Sequence, residues 1–278
     1  MAVLYPCLNF GAATLLVTVA WVFFGRNLSF GTLSVVMYFP TLVALLFMAV
    51  NNDGEFWQFF SRTIGGHHFL QPDKVTNFSV VSACWIAIAF TILLITLCAL
   101  LSVSMGWGHL TKQQKDQRSS EVKQLMIRRK IWGFLRVAGE EIGWRCYLLP
   151  CLMESFTPSQ ALAVSGVIWG LFHVPIMILL TGRINIDRRW TTVIIQCIAV
   201  FLSAFPHGWI AIRSGYALWP SAVMHYSWNI LNPFVLGSIY TNTPGLVKGD
   251  QWLVNGEGLA GCLVSIPVAV LIIMNLST

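Results

Sequence analysis

The segment "GEEIGWRCYLLP", residues 139–150, sets Glu140, Glu141 and Arg145 into a run that is otherwise apolar. A charge stranded at the centre of a bilayer costs at least about 2.5–3.5 kcal/mol, so such residues face a bundle interior and mark function. Helical spacing sorts the three. Glu141 and Arg145 stand four apart on one face, placed for a charge-assisted pair. Glu140 points about 100° away, so one carboxylate can be neutralised while its neighbour stays free. Taken alone, E-E-x-x-x-R reads equally well as an architectural ion pair with Glu140 capping another helix.

Two more segments add to the set. "WGLFHVP" carries Trp169 and His173 four apart, and Pro175 two residues on deprives the Leu171 carbonyl of its usual backbone partner. "HYSWN" carries His225 and Asn229, four apart and therefore on one helix face. His207, in "AFPHGW", reads as a packing histidine, on the expectation that no second polar residue shares its face. These residue types suggest a reaction. A carboxylate in an apolar site, with a neutral histidine beside it, can deprotonate a water held between them. A histidine and an amide on another helix can donate to a developing oxyanion. That set suits hydrolysis of an amide by activated water. There is no G-x-S-x-G elbow and no H-E-x-x-H. Glu140, His173 and His225 nonetheless form a possible three-ligand zinc set with one open position.

The elements that must position these residues read as membrane spans. Of 278 residues, 56% are hydrophobic and 10% charged, against roughly 25% charged in soluble domains. Apolar runs of spanning length occupy residues 8–24, 28–50, 79–107, 131–153, 159–182, 191–212, 217–240 and 258–276. They predict an all-α integral membrane protein, a single multi-pass domain over 1–278, with about eight helices around a polar cavity. Residues 56–60 read as an interfacial helix within a polar loop. The seven cysteines contain no C-x-x-C and mostly sit in apolar runs, against a disulfide framework or thiolate zinc site. The first apolar stretch lacks a basic n-region and a cleavage site and reads as a retained span. The net charge of +6 reads as basic cytoplasmic loops rather than nucleic-acid binding. The segment 108–130 holds Lys112, Lys115, Arg118, Lys123, Arg128, Arg129 and Lys130, so it is expected on the cytoplasmic side, with both termini on the other.

The series Glu140, Glu141, Arg145, then Trp169 and His173, then Asn229 four after His225, resembles the CAAX protease and bacteriocin-processing (Abi) family in order and in placement on successive spans. The similarity covers roughly residues 131–232; the N-terminal third matches only in being membrane-spanning. Trp169 departs from the family, where phenylalanine is commoner. The resemblance implies an eight-helix intramembrane endopeptidase acting on a peptide or protein, prenylated or not. It implies Glu140 and His173 as water activators, His225 and Asn229 as the oxyanion hole, and Glu141, Arg145 and Trp169 as support. Metal-free catalysis is expected, with zinc as the alternative. Two other readings remain: a non-catalytic immunity or scaffold protein retaining these residues, and a proton-coupled transporter, which the lack of paired broken-helix repeats disfavours. One geometric tension stands. Counted at 1.5 Å per residue, Glu140 and His173 lie about 10–15 Å from one membrane face and His225 about 10–12 Å from the other. The seventh span must tilt, or begin deeper, for them to meet.

Overall fold

The computed structural model describes residues 4–24, 34–51, 56–66, 69–70, 77–111, 120–184, 186 and 188–277. Lys112, Lys115 and Arg118 of the basic segment lie outside these residues, as do the side chains of Lys123, Arg128, Arg129 and Lys130. In chain order the elements are α1 (Leu4–Phe24), a 3₁₀ turn (Ser34–Tyr38), α2 (Phe39–Asn51), α3 (Phe56–Ile64), α4 (Val80–Ser104) and β1 (Gly108–Leu110). Next come α5 (Ser120–Glu141), a π-helix (Ile142–Leu148), α6 (Leu149–Met153), α7 (Pro158–Thr181) and α8 (Arg189–Arg213). The chain continues through α9 (Leu218–Val235), β2 (Val247–Gly249), α10 (Gln251–Val254) and α11 (Leu259–Ser277).

Local sequence explains where the helices start. Ser79 caps α4, accepting from the Ser82 amide at 3.2 Å. Thr157 and Gln160 form a reciprocal capping box ahead of α7, with Pro158 in its first turn. Helix α9 ends at Val235, short of the expected residue 240, and Gly237 beyond it adopts φ +100°. The chain then returns as β2, which pairs antiparallel with β1 in the register Gly108↔Gly249. This ribbon was not among the expected elements.

The polarity is that of a membrane protein. Among the described residues, four segments are long and apolar enough to cross a bilayer: Val80–Ser104, Pro158–Thr181, Arg189–Arg213 and Gln251–Ser277. Only 33% of the apolar window of α4 is buried. Leu93, Leu97 and Leu100 point outward while Glu140, Glu141 and Arg145 are enclosed, a distribution that water would not tolerate and lipid requires. On α3, Phe56, Trp57 and Phe60 are exposed and Phe59 and Thr63 buried, as expected of an interfacial helix. All seven cysteines are free thiols.

Two features place the polar residues. The π-helix begins directly after Glu141 and widens the turn that carries Arg145, a local irregularity common at functional sites. It ends before Pro150, which has no N–H to offer the Cys146 carbonyl. Arg62 Nη2, from α3, donates to that carbonyl at 3.0 Å instead. The second feature is the close packing of α7 on α8. Gly166 and Gly170, a small-xxx-small pair, lie against the Phe201 and Cys197 carbonyls; a Cβ at Gly166 would stand 2.8 Å from the first. This approach brings Trp169 and His173 up to α8. Replacing Gly166 by Ala is expected to overpack the seam and cost about 1–3 kcal/mol, seen as a lower unfolding midpoint of purified protein. An unchanged midpoint would show that the helices have room to spare.

Candidate active site

Trp169 is the centre of the site. Its indole Nε1 donates to Glu140 Oε2 at 3.2 Å. The Arg145 guanidinium lies 3.9 Å over its ring, a distance at which cation–π attraction is appreciable. The rings of His173, His207 and His225 stand edge-on around it, with centroids at 5.8, 5.5 and 5.7 Å. One side chain from α7 therefore touches the acidic helix and groups carried by α8 and α9.

Glu141 is fully buried and shared. His225 Nδ1 donates to its Oε1 at 2.8 Å. Arg145 lies within 3.5 Å of Oε1 and 3.4 Å of Oε2. Tight charge-assisted bonds run about 2.7–2.9 Å, so the short bond is the one to His225 and Arg145 acts mainly as an adjacent charge. The pairing of Glu141 with Arg145 expected from spacing is present. The closer partner, 84 residues away, is one the spacing did not indicate.

The histidine tautomers follow from their partners. His173 Nδ1 lies 2.9 Å from the Trp169 carbonyl, and His207 Nδ1 lies 2.8 Å from the Ser203 carbonyl. A carbonyl only accepts, so both Nδ1 atoms carry the proton and both Nε2 atoms present a lone pair when the rings are neutral. His207 Nε2 is buried without a hydrogen-bond partner.

Of the expected residues, the structure thus gathers Glu140, Glu141, Arg145, Trp169, His173 and His225. Asn229 lies one turn beyond His225 on α9 and is exposed, apart from the bonded cluster. His225, seven residues into α9, is reached by Glu141, one residue further along its helix than Glu140. His207, read as packing, belongs to the cluster, with its ring 5.8 Å from that of His225. A signal for it was present: Gln196, Ser203 and His207 fall at spacings of seven and four, one polar stripe along α8. Among the described residues, the acidic, histidine and cysteine side chains whose ligand atoms converge, within 4.8 Å of one another, are Glu141, His207 and His225. The expected zinc set of Glu140, His173 and His225 is not that group.

If Glu141 and Arg145 share one buried electrostatic unit, removing either charge strands the other at about 3–5 kcal/mol. Glu141→Gln and Arg145→Gln are both expected to lower the unfolding midpoint and the yield of folded protein. Arg145→Lys, which keeps the charge but loses the planar stack on Trp169, should fall between. Parental stability in both glutamine variants would refute the unit.

Residues 125–231 match the family model described as type II CAAX prenyl endopeptidase, Rce1-like. No curated protein matches the chain. The matched segment runs from within α5 to within α9 and contains Glu140, Glu141, Arg145, Trp169, His173, His207, His225 and Asn229. Over the segment that carries the candidate site, the chain is thus similar to the Rce1-like CAAX prenyl endopeptidases.

Proposed function

We propose that the protein is an intramembrane endopeptidase that hydrolyses a peptide bond with a water activated by Glu140 and His173. The observation that carries this reading is the meeting of Glu140, His173 and His225 around Trp169 inside a lipid-facing bundle. Glu140 takes a proton from water as the hydroxyl adds to the carbonyl carbon, and His173 Nε2 offers the lone pair that holds that water in place. The oxyanion forms opposite His225 and Asn229. To donate from Nε2 while Glu141 holds its Nδ1–H, His225 must carry both protons. A carboxylate 2.8 Å away is the partner that sustains such a cation. Glu140 then passes its proton to the leaving nitrogen as the C–N bond breaks. Counted in this state, Glu140 and Glu141 balance Arg145 and His225, leaving no net charge in the buried site.

The same reading takes the substrate as a CAAX-type or bacteriocin-type peptide, prenylated or not, and excludes nucleic acid as a partner. It assigns eight crossings, with segment 108–130 on the cytoplasmic side. Helices lie at the positions of all eight expected spans, which supports the count. The completeness of the polar set favours an enzyme over a scaffold, which has no use for all of these groups together.

Cleavage of prenylated and unprenylated peptides by purified protein tests the reading. Glu140→Gln is expected to fold and to lose hydrolysis, because an amide cannot accept the proton. His173→Ala should lose nearly all turnover. His225→Ala and Asn229→Ala should each lose roughly 10²–10³-fold, the effect of deleting one oxyanion donor. Full activity in a folded Glu140→Gln protein would remove that carboxylate from the mechanism.

Water activation is read as metal-free. The amide at Asn229 is a poor zinc ligand beside His225, and the Arg145 charge adjoins Glu141. Chelator-treated protein should keep its turnover. One zinc per chain, with activity lost on removal and restored on addition, would make zinc the catalyst.

A further inference from the structure

His207 has no part in the proposed reaction, yet it is built like a ligand. Metal-bound histidines almost always donate their second ring N–H to a carbonyl or carboxylate, which fixes the tautomer and the ring. His207 does so at Ser203, and its Nε2 is left buried and unpartnered. It faces Glu141 and His225, and one ligand atom from each of the three lies within 4.8 Å of the others. Ligand atoms on a tetrahedral zinc stand about 3.3 Å apart, given metal–ligand bonds of about 2.0–2.2 Å. Small side-chain rotations on α8 and α9 close the remaining gap.

We propose that Glu141, His207 and His225 form an inhibitory binding site for a borderline divalent cation of the Zn²⁺ type. Two imidazoles and one carboxylate select such an ion over Mg²⁺ or Ca²⁺, which take all-oxygen shells. Arg145, within 3.5 Å of Glu141, repels any cation placed there. That repulsion makes the ion an occasional occupant, gained and lost with its free concentration, and not a resident cofactor. Ligation by His225 replaces the Nδ1 bond to Glu141 that orients its ring and expels the ring's second proton, so the Nε2 donor is turned from the oxyanion and loses its charge. The inhibitory part rests on the proposed role of His225; the binding part does not.

Purified full-length protein in detergent provides the test, with two separate readouts. Co²⁺ absorption and Zn²⁺ calorimetry report binding, and peptide cleavage reports turnover. The wild-type protein should bind one ion per chain and show the visible bands of tetrahedral nitrogen and oxygen ligation with Co²⁺. Saturating Zn²⁺ should reduce its turnover by roughly 10²-fold, as for loss of one oxyanion donor. His207→Gln, and His207→Ala should the first not fold, should keep turnover in chelator and lose both binding and inhibition. The proposal is overturned if the wild type binds neither ion, if the His207 variants bind and are inhibited like the wild type, or if zinc is required for turnover. If no peptide is cleaved under any condition, the functional reading fails while the binding experiment still decides whether the site exists.

Discussion

The Glu141 carboxylate lies in an apolar bundle, and the rest of the site is arranged around that fact. A buried carboxylate is tolerated only with its charge answered and its oxygens bonded. Arg145 answers the charge from one turn away, and His225 supplies the short hydrogen bond from α9. Arg145 is held in turn by stacking on Trp169. The indole that it covers is the one that donates to Glu140. The pair that looks structural and the carboxylate assigned to chemistry are thus joined through one aromatic ring. An indole can do this and a phenyl ring cannot, because only the indole has an N–H to offer. The tryptophan at this position therefore adds a hydrogen bond to Glu140 that phenylalanine would leave unmade.

Positioning begins well away from the polar atoms. The Gly166–Gly170 seam sets how near α7 comes to α8, and so how near Trp169 comes to His207. The π-helix sets the turn between Glu141 and Arg145. Arg62 occupies the carbonyl that Pro150 leaves open, tying helix α3 to the far end of the same widened turn. The glycine seam and the π-helix act through backbone and small residues, where there is least freedom to yield.

Much of this was legible in the residues. Embedded charges announced the site, and i, i+4 spacing gave the Glu141–Arg145 pair as well as the shared faces of Trp169 with His173 and His225 with Asn229. Apolar runs gave the helices to within a few residues at most ends. What could not be read was whatever depends on two distant segments meeting. The His225–Glu141 bond spans 84 residues, and the β1–β2 ribbon joins residues on either side of six helical elements. The π-helix has no periodic signature, since seven residues are too few to show a changed repeat. His207 is a different case. Its stripe with Ser203 and Gln196 was there in the spacing, and the reading that no second polar residue shares its face overlooked it.

The long separation between Glu141 and His225 also orders events during biogenesis. When the segment from 131 to 153 first leaves the ribosome, α9 has not been made. At that moment Glu141 has a partner only in Arg145, on its own helix. The four-residue pair is local, so it can form as the helix forms, with one opposite-charge couple already closed. His225 arrives later and takes the shorter bond. An ion pair that is loose in the finished protein is thus the contact available earliest, and the tight one is the last to be added.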